Sequence, residues 1–260
     1  DEIAVGNGSI ELIRVFCSCI LSPGDRVRIP SPTFGEYEYS ARLAGAELSE
    51  GSGGAKATFF CNPNNPTGVL IPSGEVGTLL SSVAEEGGTL FLDEAFIELS
   101  DPLQSMVGHR HPSLFLLRSL TKSFSIPGIR FGYGFGDPDL IARIEATRPP
   151  WSVNAYAEHY ALQAFAHYQE LEQSRIYIEA EREWLYSRLT DLPVRVNPSQ
   201  VNFILVDLHT DATPVCEDLL RHGVLVRDCH SFGLPRSIRF AIRTREENSL
   251  LIEALRECLP

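Results

Sequence analysis

The sequence predicts an α/β protein in which a mostly parallel sheet is sandwiched by helices and is followed by a smaller C-terminal α+β domain. Apolar runs of strand length alternate with amphipathic helical stretches through roughly the first 145 residues, the pattern of parallel strands joined by covering helices. The texture breaks at Pro149 and Pro150, and beyond Pro193 short strand-like runs are interleaved with two helical patterns. At 260 residues, 43% of them hydrophobic, the chain is long enough for a full core with an appendage.

The elements follow in order. "IAVGNG" reads as a strand entering a glycine turn, and an amphipathic helix runs from Ser9 to Leu21 until "SPGD" stops it. The strand "RVRIP" and the helical "GEYEYSARLAGA" come next, then the strand "ATFFCNP" and the helix "SGEVGTLLSSVAEEGG". "TLFLDEAF", "SLFLLRSL" and "IRFGYGFG" are three further strands, each ending at polar or glycine residues, where sites in such sheets gather. A long helical region is expected from about Val153 to Leu189. After it, "VRVNP", "VNFILVDL", a helix from Thr213 to His222, "VLVRD", "SIRFAIR" and a helix from about Glu246 complete the small domain. The expected boundaries are 1–150 for the large domain, 151–192 for the connecting helix and 193–260 for the small domain. The abrupt opening, a strand with nothing before it, leads us to expect an N-terminal segment ahead of Asp1, so that the large domain is incomplete.

Charge and composition narrow the function. With 22 basic against 34 acidic side chains the formal charge is −12, which repels nucleic acid and anionic membranes. No apolar run reaches the ~20 residues that span a bilayer, and the acidic start lacks the basic region of a secretory signal. The six cysteines, Cys17, Cys19, Cys61, Cys216, Cys229 and Cys258, have neither zinc-site spacing nor disulfide density. Free thiols in the cytoplasm and no metal site are therefore expected.

Several short stretches carry chemistry. In "GNGSIELI" the glycines Gly6 and Gly8 precede a helix start whose N–H groups can hold an anion, although most such turns only turn. "CNPNNPTGV" stiffens a loop after a strand and crowds amides there, as ordinary asparagine-rich turns also do. "FLDEAF" delivers Asp93 and Glu94 at a strand's carboxyl end, where an aspartate caps a helix or meets a metal or a cofactor nitrogen. No His/Cys cluster accompanies it, so metal is the poorer use. Lys122 lies between hydroxyl side chains and Arg130 follows a proline and a glycine. A helix-start anion site, an amide loop, a strand-end carboxylate, an amine and a cation together suit a phosphorylated aromatic aldehyde.

"NPNNPTG", "LDEAF" and "SLTKSFSIPGIRFGYG", in that order, resemble the fold type I pyridoxal-phosphate enzymes of the class I/II aminotransferase family, over nearly the whole chain. The resemblance implies pyridoxal 5′-phosphate as cofactor and Lys122 as the amine that joins its aldehyde and moves protons. It implies Asp93 on the pyridine nitrogen, Asn65 donating to the ring's 3-oxygen and Phe34 stacked on the ring. Gly8, Ser9, Ile10, Ser119, Thr121 and Arg130 would hold the phosphate. Arg239 would clamp the substrate carboxylate, and Arg227 and Arg243 would help orient it; Arg239 and Arg243, four apart in an expected strand, should leave the same face. A homodimer is also implied, with Trp151 and Asn154 as interface candidates.

Within the family two activities compete. "RPPWSVNAYA", "VRDCHSFGLP" and "IRFAIRT" resemble L-threonine-O-3-phosphate decarboxylases of cobalamin biosynthesis, while the general layout resembles histidinol-phosphate aminotransferases. Phe96 stands where the aminotransferases usually carry a tyrosine whose hydroxyl supports the ring oxygen, and it cannot donate that bond. The expected substrate is accordingly O-phospho-L-threonine, a small phosphorylated amino acid. A truncated, inactive cofactor-binding homologue is the third reading.

Overall fold

In the computed structural model, which describes residues 2–49, 51 and 53–259, the alternation read from the sequence is realised in order. Strand β1 (Ile3–Asn7) enters α1 (Ser9–Ile20), followed by β2 (Arg26–Arg28), α2 (Glu36–Leu43), β3 (Glu47–Leu48), β4 (Ala57–Cys61) and α3 (Ser73–Glu85). Then come β5 (Thr89–Asp93), β6 (Leu114–Ser119), the single-turn α4 (Leu120–Ser123), β7 (Phe131–Gly136), α5 (Pro138–Thr147) and α6 (Ala155–Ala166). The remainder is α7 (Leu171–Leu189), β8 (Arg195–Val196), β9 (Phe203–Asp207), α8 (Ala212–Arg221), β10 (Arg227–Asp228), β11 (Ser237–Ala241) and α9 (Arg245–Cys258). Asp1 and Pro260, the outer ends of the expected domains, lie outside the described residues.

Residues 1–30, 35–63 and 71–171 form one compact unit, and 31–34, 64–70 and 172–260 form another. In the first, seven strands lie in the order β1-β7-β6-β5-β4-β2-β3. All neighbours from β6 to β3 are parallel, and β7 runs against both β1 and β6. Side-chain alternation splits the buried strands between two faces. Leu90 and Leu92 of β5 and Leu114 and Leu116 of β6 pack under Val76, Leu80 and Val83 of α3. On the opposite face Phe59, Phe91 and Phe115 form a row, with ring centroids 5.0 and 5.3 Å apart, beneath Phe16 of α1 and Tyr37 of α2. Asp93, two residues beyond Phe91, shares that face.

The helical region expected from Val153 to Leu189 is two helices. Asn154 caps the first, its side chain accepting the Ala157 N–H at 2.9 Å, so α6 begins only at Ala155. It ends at His167, whose φ/ψ of −105°/16° leaves the helix, and Tyr168–Glu170 make a 3₁₀ turn closed by His167 Nδ1 and Glu170 Oε1 at 2.7 Å. No glycine or proline marks this break, which is why periodicity alone ran through it.

The second unit carries an antiparallel sheet, β10-β11-β9-β8. Its helices have explicit starts: Asp211 caps α8, and Thr244 with Glu247 forms a capping box on α9. The loop 64–70 belongs here through Asn64, which accepts from Thr33 Oγ1 at 2.9 Å and donates to Pro32 O at 3.0 Å, and through Leu70 N–H, which donates to Gln200 Oε1 at 2.9 Å.

Candidate active site

Strand direction gathers the first unit's candidates. Strands β1, β4, β5 and β6 all run one way, so Gly8, Asn62, Asp93 and Ser119 emerge at a single edge, and antiparallel β7 starts there just after Arg130. Gly132 of β7 pairs with both Gly6 and Ser119, which sets the glycine turn, the hydroxyls and the carboxylate in sequence across the sheet. This is the carboxyl edge at which parallel sheets bind ligands.

The start of α1 is built to take an anion. Gly8 has φ 75° and, without a side chain, offers no capping oxygen to the first-turn N–H groups. A Cβ at Gly8 would stand 2.3 Å from Arg130 Nη2, and one at Gly132 would stand 2.3 Å from Ser9 N. Both glycines are thus what allows the guanidinium and the neighbouring strand to close on the helix start. Gly8 N–H donates to Arg130 O at 3.0 Å, and Arg130, itself at φ 62°, donates from Nη1 to Pro127 O at 2.9 Å. Ser119 Oγ and Thr121 Oγ1, both buried, are hydrogen-bonded at 2.9 Å. Helix dipole, guanidinium and hydroxyls together suit a phosphate.

Asp93 is buried among aromatic rings, and burial pushes its carboxyl up. Three groups oppose the shift: the Tyr37 hydroxyl, which donates to Oδ2 at 2.6 Å, the Ala95 N–H, which donates to Oδ1 at 2.9 Å, and the Lys122 ammonium. Lys122 therefore lies within electrostatic reach of Asp93, as a shared ligand requires. The lysine is exposed, with Nζ 5.7 Å from the centre of the Phe96 ring. Behind the edge sits a buried charged cluster that sequence reading missed. Arg118 donates from Nε to Glu94 Oε2 at 2.9 Å, from Nη1 to Glu98 Oε1 at 2.5 Å and from Nη2 to Ser105 Oγ at 2.6 Å. It bolts the segment after Asp93 to the segment before Lys122. Tyr37 was also passed over, although its place three residues after Phe34 in a helical stretch was the available signal.

The second unit holds the remaining candidates. Arg239 of β11 and Arg227 of β10 are directly opposed in register, and both guanidiniums lie 5.8 Å from the Phe232 ring centre. Arg239 also lies 4.8 Å over Phe203 and donates to Asn65 Oδ1, which leaves the Asn65 amide N–H groups to serve as donors. Burial, with the Arg227 charge, holds the Arg239 guanidinium below its usual range. Like charges facing across a ladder are unfavourable without an anion between or beside them. Phe34 is half-buried in this unit. Arg243 departs from expectation: β11 ends at Ala241, so the same-face reading fails, and the exposed Arg243 donates to Glu247 Oε1 from Nη2 at 2.7 Å and from Nε at 3.1 Å. The turn into α9 removes it from the strand.

Among the described residues there is no group of three His, Cys, Asp or Glu side chains that could hold a metal, and no helix long and apolar enough to cross a membrane. An amine, a buried carboxylate that accepts from the Tyr37 hydroxyl and the Ala95 N–H, and a glycine-lined anion cradle fit pyridoxal 5′-phosphate.

Residues 1–255 match the family described as aminotransferase class I and II. The histidinol-phosphate aminotransferase of Symbiobacterium thermophilum is 34% identical over 277 residues, which span 100% of this chain and 76% of the relative. A Caldanaerobacter subterraneus protein provisionally named threonine-phosphate decarboxylase is 37% identical over 282 residues, spanning 98% of this chain and 76% of its own. The crystal structure of the histidinol-phosphate aminotransferase from Clostridium acetobutylicum superposes with a TM-score of 0.90 at 31% identity, covering 98% of this chain and 83% of that one. The chain belongs to the aminotransferase class I and II family and is an enzyme whose cofactor is pyridoxal 5′-phosphate.

Proposed function

We propose that the enzyme decarboxylates O-phospho-L-threonine to a phosphorylated aminopropanol, a step of cobalamin biosynthesis in the cytoplasm. The observation that carries this reading is Phe96, whose apolar ring rather than a hydroxyl lies beside Lys122, where aminotransferases of the family usually place a tyrosine. The relative provisionally named threonine-phosphate decarboxylase supports it.

The residues divide the work. Gly8, Ser9, Ile10, Ser119, Thr121 and Arg130 hold the cofactor phosphate, Asp93 the ring nitrogen, Asn65 the ring oxygen, and Phe34 stacks. Bound in this way, the cofactor supplies an electron sink for the pair left at Cα when the bond to the carboxylate breaks. Arg239 takes the carboxylate and Arg227 balances the phosphate, fixing which Cα bond stands perpendicular to the ring. Lys122 then holds the proton that is delivered to Cα. The division of labour follows the segments 1–150, 151–192 and 193–260, with cofactor contacts chiefly in the first and substrate arginines in the last. The exposed Trp151, Tyr156 and Tyr160, the first 94% exposed, support a homodimer. Arg243 stays outside the substrate contacts, since Glu247 occupies it.

Incubation of the reconstituted enzyme with O-phospho-L-threonine and measurement of carbon dioxide tests the reading. Glutamate formed from 2-oxoglutarate and histidinol phosphate, without carbon dioxide, replaces it by the aminotransferase reading, which the several relatives of that name favour. Cofactor binding with neither product marks an inactive homologue.

A further inference from the structure

We infer that Tyr37 is a positioning residue for the cofactor's ring nitrogen, acting through Asp93: its hydroxyl keeps that carboxylate charged and turned so that a free lone pair meets the ring. The inference rests on the reading that Asp93 receives that nitrogen. Tyr37 is fully buried, and its ring stacks on Phe59 at 5.5 Å and tilts against Phe91 at 6.2 Å. The aromatic packing of α2 on the sheet therefore fixes where the hydroxyl points. It points at Asp93 Oδ2, 2.6 Å away, the length of a charge-assisted O–H···O⁻ bond.

The two donors do different things. Ala95 N–H binds Oδ1 whatever the side chains nearby, because it belongs to the turn after β5. Tyr37 is the side-chain donor, and it leaves each carboxylate oxygen a further lone pair. The charged and titratable groups facing Asp93 are Tyr37 from α2, Lys122 from α4 and Glu94 beside it, with Cys61 of β4 acting on Tyr37. Glu94 favours the neutral acid, and its charge is met by Arg118. Burial and the Asp93 charge keep the Tyr37 proton on its own oxygen, so Tyr37 stabilises the carboxylate without surrendering a proton to it. A neutral Asp93 would lose its electrostatic hold on a protonated ring nitrogen.

Tyr37→Phe, Asp93→Asn, the double variant and a packing control, Phe59→Leu, separate the alternatives. Removing a hydrogen bond to a charged group should weaken cofactor binding by about 10-fold or more and move the pH midpoint of the bound cofactor's absorption by about one unit. On top of Asp93→Asn, the Tyr37→Phe step should change neither quantity. Phe59→Leu should lower the melting temperature and leave the midpoint in place. An undiminished effect of Tyr37→Phe in the Asp93→Asn background, or a midpoint that Phe59→Leu moves equally, makes Tyr37 a packing residue and overturns the inference. If Asp93→Asn itself leaves binding and absorption unchanged, it is the assignment of Asp93 to the ring nitrogen that fails. Should Tyr37→Phe not fold, the infrared difference between wild type and Asp93→Asn decides: a protonated Asp93 at neutral pH sinks the inference.

Discussion

Replacing Arg118 by methionine takes away the buried cation that faces both Glu94 and Glu98. Side-chain exposures of 5% for Arg118, 0% for Glu94 and 1% for Glu98 mean that water cannot take the arginine's place. Methionine fills similar volume, so the loss is electrostatic: three hydrogen bonds, two of them ionic, are removed and two buried acids lose the guanidinium between them. Breaking a buried pair in this way costs about 3–5 kcal/mol. That is a large share of the roughly 5–15 kcal/mol that holds a folded protein together. At about 2–4 °C per kcal/mol for domains of this size, the melting temperature should fall by roughly 6–20 °C. The loss must also depend on pH. Burial already raises Glu98, with Arg118 pulling the other way, so its folded value exceeds its unfolded value of about 4.3. Above the unfolded value the native state keeps a proton that the unfolded chain releases, so stability falls as pH rises until the folded value is passed. Without Arg118 that window extends upward, so the deficit of the variant should be smaller at about pH 5.5 than at about pH 8. Circular-dichroism melts of both proteins at both pH values measure this. A deficit below about 1 kcal/mol, or one equal at the two pH values, would refute the view that Arg118 acts as the counter-charge.

Other expectations concern the cradle, the amine and a helix start. Gly132→Ala drives a Cβ to 2.3 Å from Ser9 N and 2.6 Å from Ser9 Cα, both backbone atoms, so the start of α1 must move. It should cost about 1–3 kcal/mol and weaken cofactor binding, read by melting and by absorbance titration of the apoprotein. Lys122→Ala should abolish turnover and remove the cofactor adduct that borohydride fixes and mass spectrometry maps in the wild type; adduct surviving at another lysine would refute its role. Thr244→Ala removes the capping box of α9 and should cost about 1 kcal/mol in urea denaturation with no change in cofactor affinity.

Much of the architecture was legible because burial on both faces writes parallel strands as unbroken apolar runs such as "LFLLRS" and "TLFLD", with the helices between them marked by glycine and proline stops. The strand-end carboxylate and the glycine turn were legible for the same reason, since each sits at a strand end that punctuation fixes, whereas the amine of Lys122, inside the turn of α4, was legible only through the family motif around it. Periodicity failed at His167, where a 3₁₀ turn interrupts two helices without glycine or proline, and at Arg243, which lies just past a strand end in the lead-in to α9.

By itself the sequence determined the order of the longer strands and helices and put Asp93 and Gly8 at strand ends, because hydrophobic period and turn chemistry are local properties, while Lys122 and Arg239 were marked out by the family motifs around them. Only the tertiary structure decided that Tyr37 of α2 donates to Asp93, that Arg118 joins Glu94 to Glu98, and that Arg227 faces Arg239. The first three of those pairings span 56, 24 and 20 residues of chain, and the last links adjacent strands. Strand order and side-chain alternation, which close such distances, are properties of the packed sheet rather than of any window of sequence.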